Sequence, residues 1–241
     1  MNITILTLVP ELYDNFKKHS IIGKAIEKKL VNINIVNIRD YSNNKHHKVD
    51  DIPYGGGSGM IMTLQPIVDA INAFKKENTH IILTSPIGQV LKQSKVKDII
   101  SNYKDIMIIC GRYEGIDHRI MNYIDEVISI GDYILTGGEL ASMVISDSII
   151  RLLDGVIKDD SKYNESFEFG ILDYPQYTKP VDYDGYIVDP ILRNGNHKLI
   201  NEYRYKEALK LTYLYRKDLL VDLNEQQLEL LNIIKKELND E

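Results

Sequence analysis

Four short segments concentrate the residues that can hold a ligand through main chain. Residues 55–59, 84–88, 111–115 and 131–138 contain ten of the fifteen glycines. Glycine reaches positive φ and lets a backbone approach a ligand closely. The concentration therefore points to a ligand held partly by main-chain groups, although turn chemistry alone explains any single loop. A fifth segment, residues 193–217, carries charge. It holds seven cations (Arg193, Lys198, Arg204, Lys206, Lys210, Arg216, Lys217) against Glu202 and Glu207, a local +5 in a chain of net charge −6. Two readings stand here, a solvated helix face or a patch for nucleic-acid phosphates, and charge alone favours the first.

Several chemistries are excluded. The run at residues 50–60 (DDIPYGGGSGM) is not followed by Lys-Ser or Lys-Thr, so it is not a phosphate-binding P-loop. Its glycine spacing also fails the dinucleotide fingerprint. His46 and His47 are adjacent, which does not place two zinc ligands on one helix face. Cys110 ends an apolar run and reads as a small core residue. As the lone cysteine it has no internal disulfide partner, which fits a reducing, cytoplasmic setting without establishing it. No apolar run reaches the ~18–20 residues that span a bilayer. Residues 1–10 lack a basic lead and a cleavage site, so they read as a first strand and not a signal peptide.

The loops need elements to hold them. Residues 2–9, 32–38, 80–83, 105–110 and 126–130 read as strands. Residues 64–76, with Ile67, Val68, Ile71 and Phe74 at helical spacing, read as a helix, as do 92–100, 116–124 and 139–153. Strands alternating with helices predict an α/β fold, a parallel sheet covered on both faces. Ligands bind such sheets at the carboxyl ends of the strands, where three of the glycine loops leave. Residues 155–177 have little periodicity and read as a linker. Residues 203–215 and 225–238 read as helices of a small C-terminal domain.

Five motifs occur in order: DDIPYGGGSGM at 50–60, SPIG at 85–88, CGRYEGID at 110–117, IGDYILTGGE at 130–139 and GILDYPQYTKP at 170–180. Together they closely resemble the TrmD family of tRNA (guanine-N1)-methyltransferases. The similarity runs from the first strand to Gly195-Asn196-His197 and the basic helix beyond. Ser58 stands where proline is common, and His118 where an acid is common. The resemblance implies a SPOUT-type α/β domain over residues 1–160 with a deep trefoil knot at its carboxyl end. General topology rules alone would reject a knot. It further implies an interdomain linker at 161–177 carrying the catalytic Asp, a helical tRNA-binding domain at 178–241, and a homodimer with a shared active site.

The implied reaction moves a methyl group from S-adenosylmethionine to N1 of guanosine at position 37 of tRNA, beside the anticodon. N1 carries a proton, so a base is required. By resemblance the base is Asp173; without it, a turn-forming Asp before Pro175 is the better reading. Negative charge grows toward the exocyclic oxygen, and Arg151 matches the family's catalytic arginine for it. The resemblance puts Leu83, Ser85, Pro86 and Gly88 on one wall of the cofactor site, and Gly111, Tyr113 and Glu114 on a second. Ile130, Gly131, Asp132, Tyr133, Ile134, Leu135, Gly137 and Gly138 clasp the adenine. Glu114 is open between cofactor and substrate base. Asp50, Gly57 and Gly59 are substrate-side. Lys206, Lys210, Tyr213 and Lys217, at i, i+4, i+7 and i+11, form a face for tRNA phosphates, with Arg193, His197 and Lys198 just before it. The family is associated with Mg²⁺, yet no carboxylate cage is visible in the sequence. The competing classes are a non-catalytic RNA-binding protein with a retained knot domain, another α/β nucleotide enzyme, and a knotted methyltransferase with a different RNA target.

Overall fold

Alternation along one strand, β6 (Asp105–Cys110), sets the plan of the N-terminal half. Ile106, Ile108 and Cys110 enter one hydrophobic layer, and Met107 and Ile109 enter the other. A strand buried on both faces belongs inside a parallel sheet covered by helices. The computed structural model describes residues 1–158, 165–168, 170–221 and 223–240. They fall into two compact units, residues 1–158 and 159–241.

In the first unit β1 (Asn2–Thr7), β2 (Asn32–Asn37), β5 (Thr79–Val90), β6 and β7 (Glu126–Ser129) form a parallel sheet in the order β2-β1-β6-β5-β7. Helix α3 (Leu64–Phe74) covers one face through Ile67, Ala70 and Ile71. Helices α2 (Ser20–Glu27), α4 (Gln93–Asn102) and α5 (Glu139–Leu152) cover the other. The sequence reading passed over α2 and the short α1 (Asp14–Lys18) before it. A two-stranded hairpin, β3 (Asp50–Asp51) and β4 (Ile61–Met62), stands outside the main sheet. Among the described residues no helix is long and apolar enough to cross a membrane.

Two expectations need correction. Residues 116–124 are not an α-helix but a single 3-10 turn at His118–Asn122, capped by Asp117. Both ends of that stretch are tethered. Asp117 N–H donates to Met62 O, and Asp125 N–H donates to Ile81 O. These long-range bonds fix where the stretch begins and ends, and the chain between them closes as a 3-10 turn instead. Strand β5 also outruns its expected end. Residues 85–88 leave the ladder, and Gln89 and Val90 rejoin β7. Gly88 permits this, because a Cβ there would lie 2.5 Å from Val127 O.

After β7 the chain turns back across the carboxyl ends of β5 and β6 before entering α5. Gly138 marks the crossing. Its N–H donates to Gly111 O at 2.8 Å. A Cβ on it would lie 2.2 Å from Thr84 Oγ1 and 2.9 Å from Cys110 Cα.

The second unit is built on α6 (His197–Tyr215) and α7 (Glu225–Asp240), packed through Ala208, Leu209, Leu231 and Ile234. It also holds a hairpin, β8 (Asp182–Tyr183) and β9 (Tyr186–Ile187). Ile171 is buried in this same core, so the described part of the expected linker is packed structure. Residues 159–164 and 169 of that linker lie outside the described residues.

Gly138→Ala is expected to lower stability by ~3 kcal/mol, because backbone closes one side of the new methyl. Gly57→Ala meets open space and strains only its φ of +129, so about 1 kcal/mol is expected. Urea-unfolding midpoints of the two variants check the contrast.

Candidate active site

The three loops at the carboxyl ends of β5, β6 and β7 enclose a cleft of about 440 Å³. Thirteen of the fifteen expected cofactor residues line it: Leu83, Ser85, Pro86, Gly111, Tyr113, Glu114, Ile130, Gly131, Tyr133, Ile134, Leu135, Gly137 and Gly138. Gly88 and Asp132 are not among the lining residues. Gly88 serves the backbone approach to β7 instead. Sequence reading missed Thr84, Arg112, Ile116, Thr136 and Ala141, which also line the cleft. Arg112 was findable, since it sits inside the CGRYEGID motif.

Backbone conformation shapes the walls. Tyr113 adopts φ 58 and Gly115 φ 131, so the loop after β6 reverses within a few residues. Gly131, at φ +148, leaves room for the Tyr133 ring, which would lie 2.5 Å from a Cβ there. The Tyr133 hydroxyl donates to Ile130 O at 3.3 Å, closing this loop on itself. A cleft of this size suits a small ligand. Its walls combine apolar side chains (Leu83, Ile116, Ile128, Ala141) with glycine backbone, so a ligand there meets apolar surface and main-chain groups.

A buried polar cluster lies beside the cleft. Glu139, at the first position of α5, is 2% exposed. Its Oε1 accepts from Thr7 Oγ1 at 2.9 Å and from Arg112 Nε at 3.0 Å. Tyr13, Ser142 and Cys110 continue the cluster, with Tyr13 Oη 2.6 Å from Ser142 Oγ. Burial raises the Tyr13 hydroxyl well above its ordinary value, with Cys110 adding to the effect. Burial also pushes the Cys110 thiol up to about 12, against the pull of hydrogen bonds to Ser142 and Tyr13. Cys110 is thus a protonated core residue.

The β3–β4 hairpin brings the 55–59 loop to the cleft. Glu114 N–H donates to Met60 O, and Met62 N–H to Gly115 O. A Cβ on Gly59 would lie 2.5 Å from the Glu114 side chain. Asp50 pairs with Met62 in the hairpin, and Gly57 is exposed. Asp117 is held down to about 2 by its side-chain and backbone hydrogen bonds with Arg119. Arg151 is half-buried in the last turn of α5.

The second unit holds the other expected residues. Asp173 is half-buried. Its Oδ1 accepts from Tyr174 N–H at 2.8 Å and its Oδ2 from Gln176 Nε2 at 3.0 Å. Arg193, His197 and Lys198 are exposed around the start of α6. Lys206 is turned toward α7, where it pairs with Glu237 at 2.6 Å. Lys210 is half-buried. Lys217 is not on the helix, which ends at Tyr215, but its ammonium still sits 4.7 Å over the Tyr213 ring. Among the described residues no group of three His, Cys, Asp or Glu is arranged to hold a metal ion.

Comparison with known proteins bears on this arrangement. Residues 1–222 match the family model described as tRNA (Guanine-1)-methyltransferase TrmD. A tRNA (guanine-N(1)-)-methyltransferase of Dictyoglomus turgidum is 49% identical, covering 100% of this chain and 99% of that protein. Proteins of the same description from Mycoplasmopsis pulmonis and Clostridium botulinum are 52% and 48% identical. They cover 91% and 99% of this chain, and 96% and 100% of their own lengths.

Removing the Glu139 carboxylate strands Arg112 and the Thr7 hydroxyl. Glu139→Ala is expected to cost about 3 kcal/mol in denaturant unfolding, the scale for breaking one half of a buried pair. Cys110 in the folded protein is expected to react with iodoacetamide at pH 8 at least ~100-fold more slowly than in urea. Mass spectrometry of the alkylated protein measures the ratio.

Proposed function

We propose a division of labour between the two units from one premise: this chain belongs to the TrmD family and is a tRNA (guanine-N1)-methyltransferase. The observation that carries the site assignment is the cleft itself. Three glycine loops converge there, and nearly all of the expected cofactor residues line it. S-adenosylmethionine, when bound, supplies a methyl group on a positively charged sulfur. The loops bind its adenosyl part through main-chain groups, while Leu83, Ile116 and Ile128 exclude water. Such a donor needs positioning more than activation.

The target is guanosine 37, and Asp173 is the base that takes its N1 proton. Two donors, Tyr174 N–H and Gln176 Nε2, orient the carboxylate. Arg151 stabilises the charge that grows on the exocyclic oxygen. Asp50, Gly57 and Gly59 stand on the substrate side, a role supported by the contact of Gly59 with Glu114. Arg193, His197, Lys198 and Lys210 meet tRNA phosphates. Lys206 joins them by exchanging its exposed pair with Glu237, and such surface pairs contribute little. A deep trefoil knot closes the carboxyl end of the first unit, a reading supported by the family resemblance and by the return of residues 130–138 over β5 and β6. The family resemblance supports a cytoplasmic homodimer with a shared active site. Among the described residues no group of three His, Cys, Asp or Glu forms a cage for Mg²⁺.

Asp173→Asn is expected to slow single-turnover methylation by ~10²–10⁴-fold, the contribution of a positioned base. Its tRNA affinity should stay near that of the parent protein. A rate near wild type would remove Asp173 from this role. Arg151→Ala should lose rate and keep donor affinity, read by calorimetry. Labelled methyl transfer to unmodified transcripts carrying G or A at position 37 tests the target nucleotide.

A further inference from the structure

We propose that helix α6 holds Asp173 in place, with Arg204 and Thr212 as positioning residues; this rests on the reading of Asp173 as the base. Arg204, Ala208 and Thr212 are spaced i, i+4 and i+8, so they form one stripe along α6. The segment before Pro175 lies along that stripe at three points. Leu172 N–H donates to Thr212 Oγ1 at 3.0 Å. The same hydroxyl donates to Ala208 O at 2.7 Å, which fixes its lone pair toward Leu172. Ile171 is buried with Ala208 and Leu209. The Arg204 guanidinium lies 4.7 Å from the centroid of the Tyr174 ring.

Asp173 lies between the Leu172 and Tyr174 anchors. Its Oδ1 also accepts from the Tyr174 N–H, so a shift of Tyr174 moves the carboxylate. Arg204 is better explained as a clamp than as an RNA contact. Among the described residues its buried Nε has no hydrogen-bond partner, an arrangement proteins rarely retain without a reason. The stack over Tyr174 supplies the compensating contact. The helix that begins at the exposed His197 and Lys198 is therefore the helix on which the base is mounted.

The test compares Arg204→Ala, Arg204→Lys, Thr212→Val and Thr212→Ser, each checked for fold by far-UV circular dichroism. Arg204→Ala and Thr212→Val should slow single-turnover methylation about tenfold, with the tRNA Kd within about twofold. Arg204→Lys keeps a cation over the ring and Thr212→Ser keeps the acceptor, so both should recover most of the rate. In an Asp173→Asn background, Arg204→Ala should add no further loss. A full additional loss there, or weaker tRNA binding at an unchanged rate, overturns the proposal. Amide exchange at Leu172 and Tyr174 reads the anchoring apart from chemistry. It should quicken about tenfold in Thr212→Val, and unchanged exchange also overturns the proposal. An Asp173→Asn protein with wild-type rate and quickened exchange in Thr212→Val would instead sink the base assignment alone.

Discussion

The carboxylate of Glu139 enters the interior at the first residue of α5, where water does not reach it. A buried charge is tolerated only when paired and hydrogen-bonded. Glu139 meets this demand with groups from two other segments, Thr7 at the end of β1 and Arg112 just after β6. The N-terminal end of the helix dipole favours the same charge. One side chain thus ties β1, the loop after β6 and the start of α5 at the carboxyl edge of the sheet. The space a Gly137 side chain would need is filled by Glu139 Oε2 and Arg112. The two glycines before α5 are therefore held against the cleft by a polar interaction made from behind it.

This arrangement explains why the cleft is built from backbone. Side chains at Gly137 or Gly138 would collide with the groups that fix the loop. With side chains excluded, main-chain groups are what the loop can present to a ligand. The second unit works differently. The residues proposed there for tRNA carry side-chain charge, and two of those charges are already engaged within the unit, in the Lys206–Glu237 pair and the Lys217–Tyr213 stack. An acidic chain can hold an anionic substrate when local cations outnumber local acids and their internal pairs are exposed and weak.

Some of this was legible in residue order. Strands β5 and β6 stood out because burial on both faces leaves unbroken apolar runs, and β1 because its β-branched residues alternate. The glycine loops were legible because glycine spacing records backbone demands directly. The β8–β9 hairpin was missed although Asp184-Gly185, both at positive φ, is a strong two-residue turn signal between Tyr183 and Tyr186. The helix expected at 116–124 failed for the opposite reason. Its apolar spacing is helical, but tethers to Met62 and Ile81 set its length, and both partners are remote in sequence.

By itself, the sequence determined a layered α/β unit, a ligand site at the strand ends, a basic helical module and, through its motifs, the family. Local periodicity and residue type carry that information because each depends on neighbours in the chain. Only the tertiary structure decided that the Thr7 hydroxyl donates to the Glu139 carboxylate, 132 residues away. Only it decided that Arg112 pairs with Glu139, that Lys206 turns to α7, and that the segment bearing Asp173 lies along α6. Each is a contact between distant segments, and such contacts follow from packing, which residue order does not display.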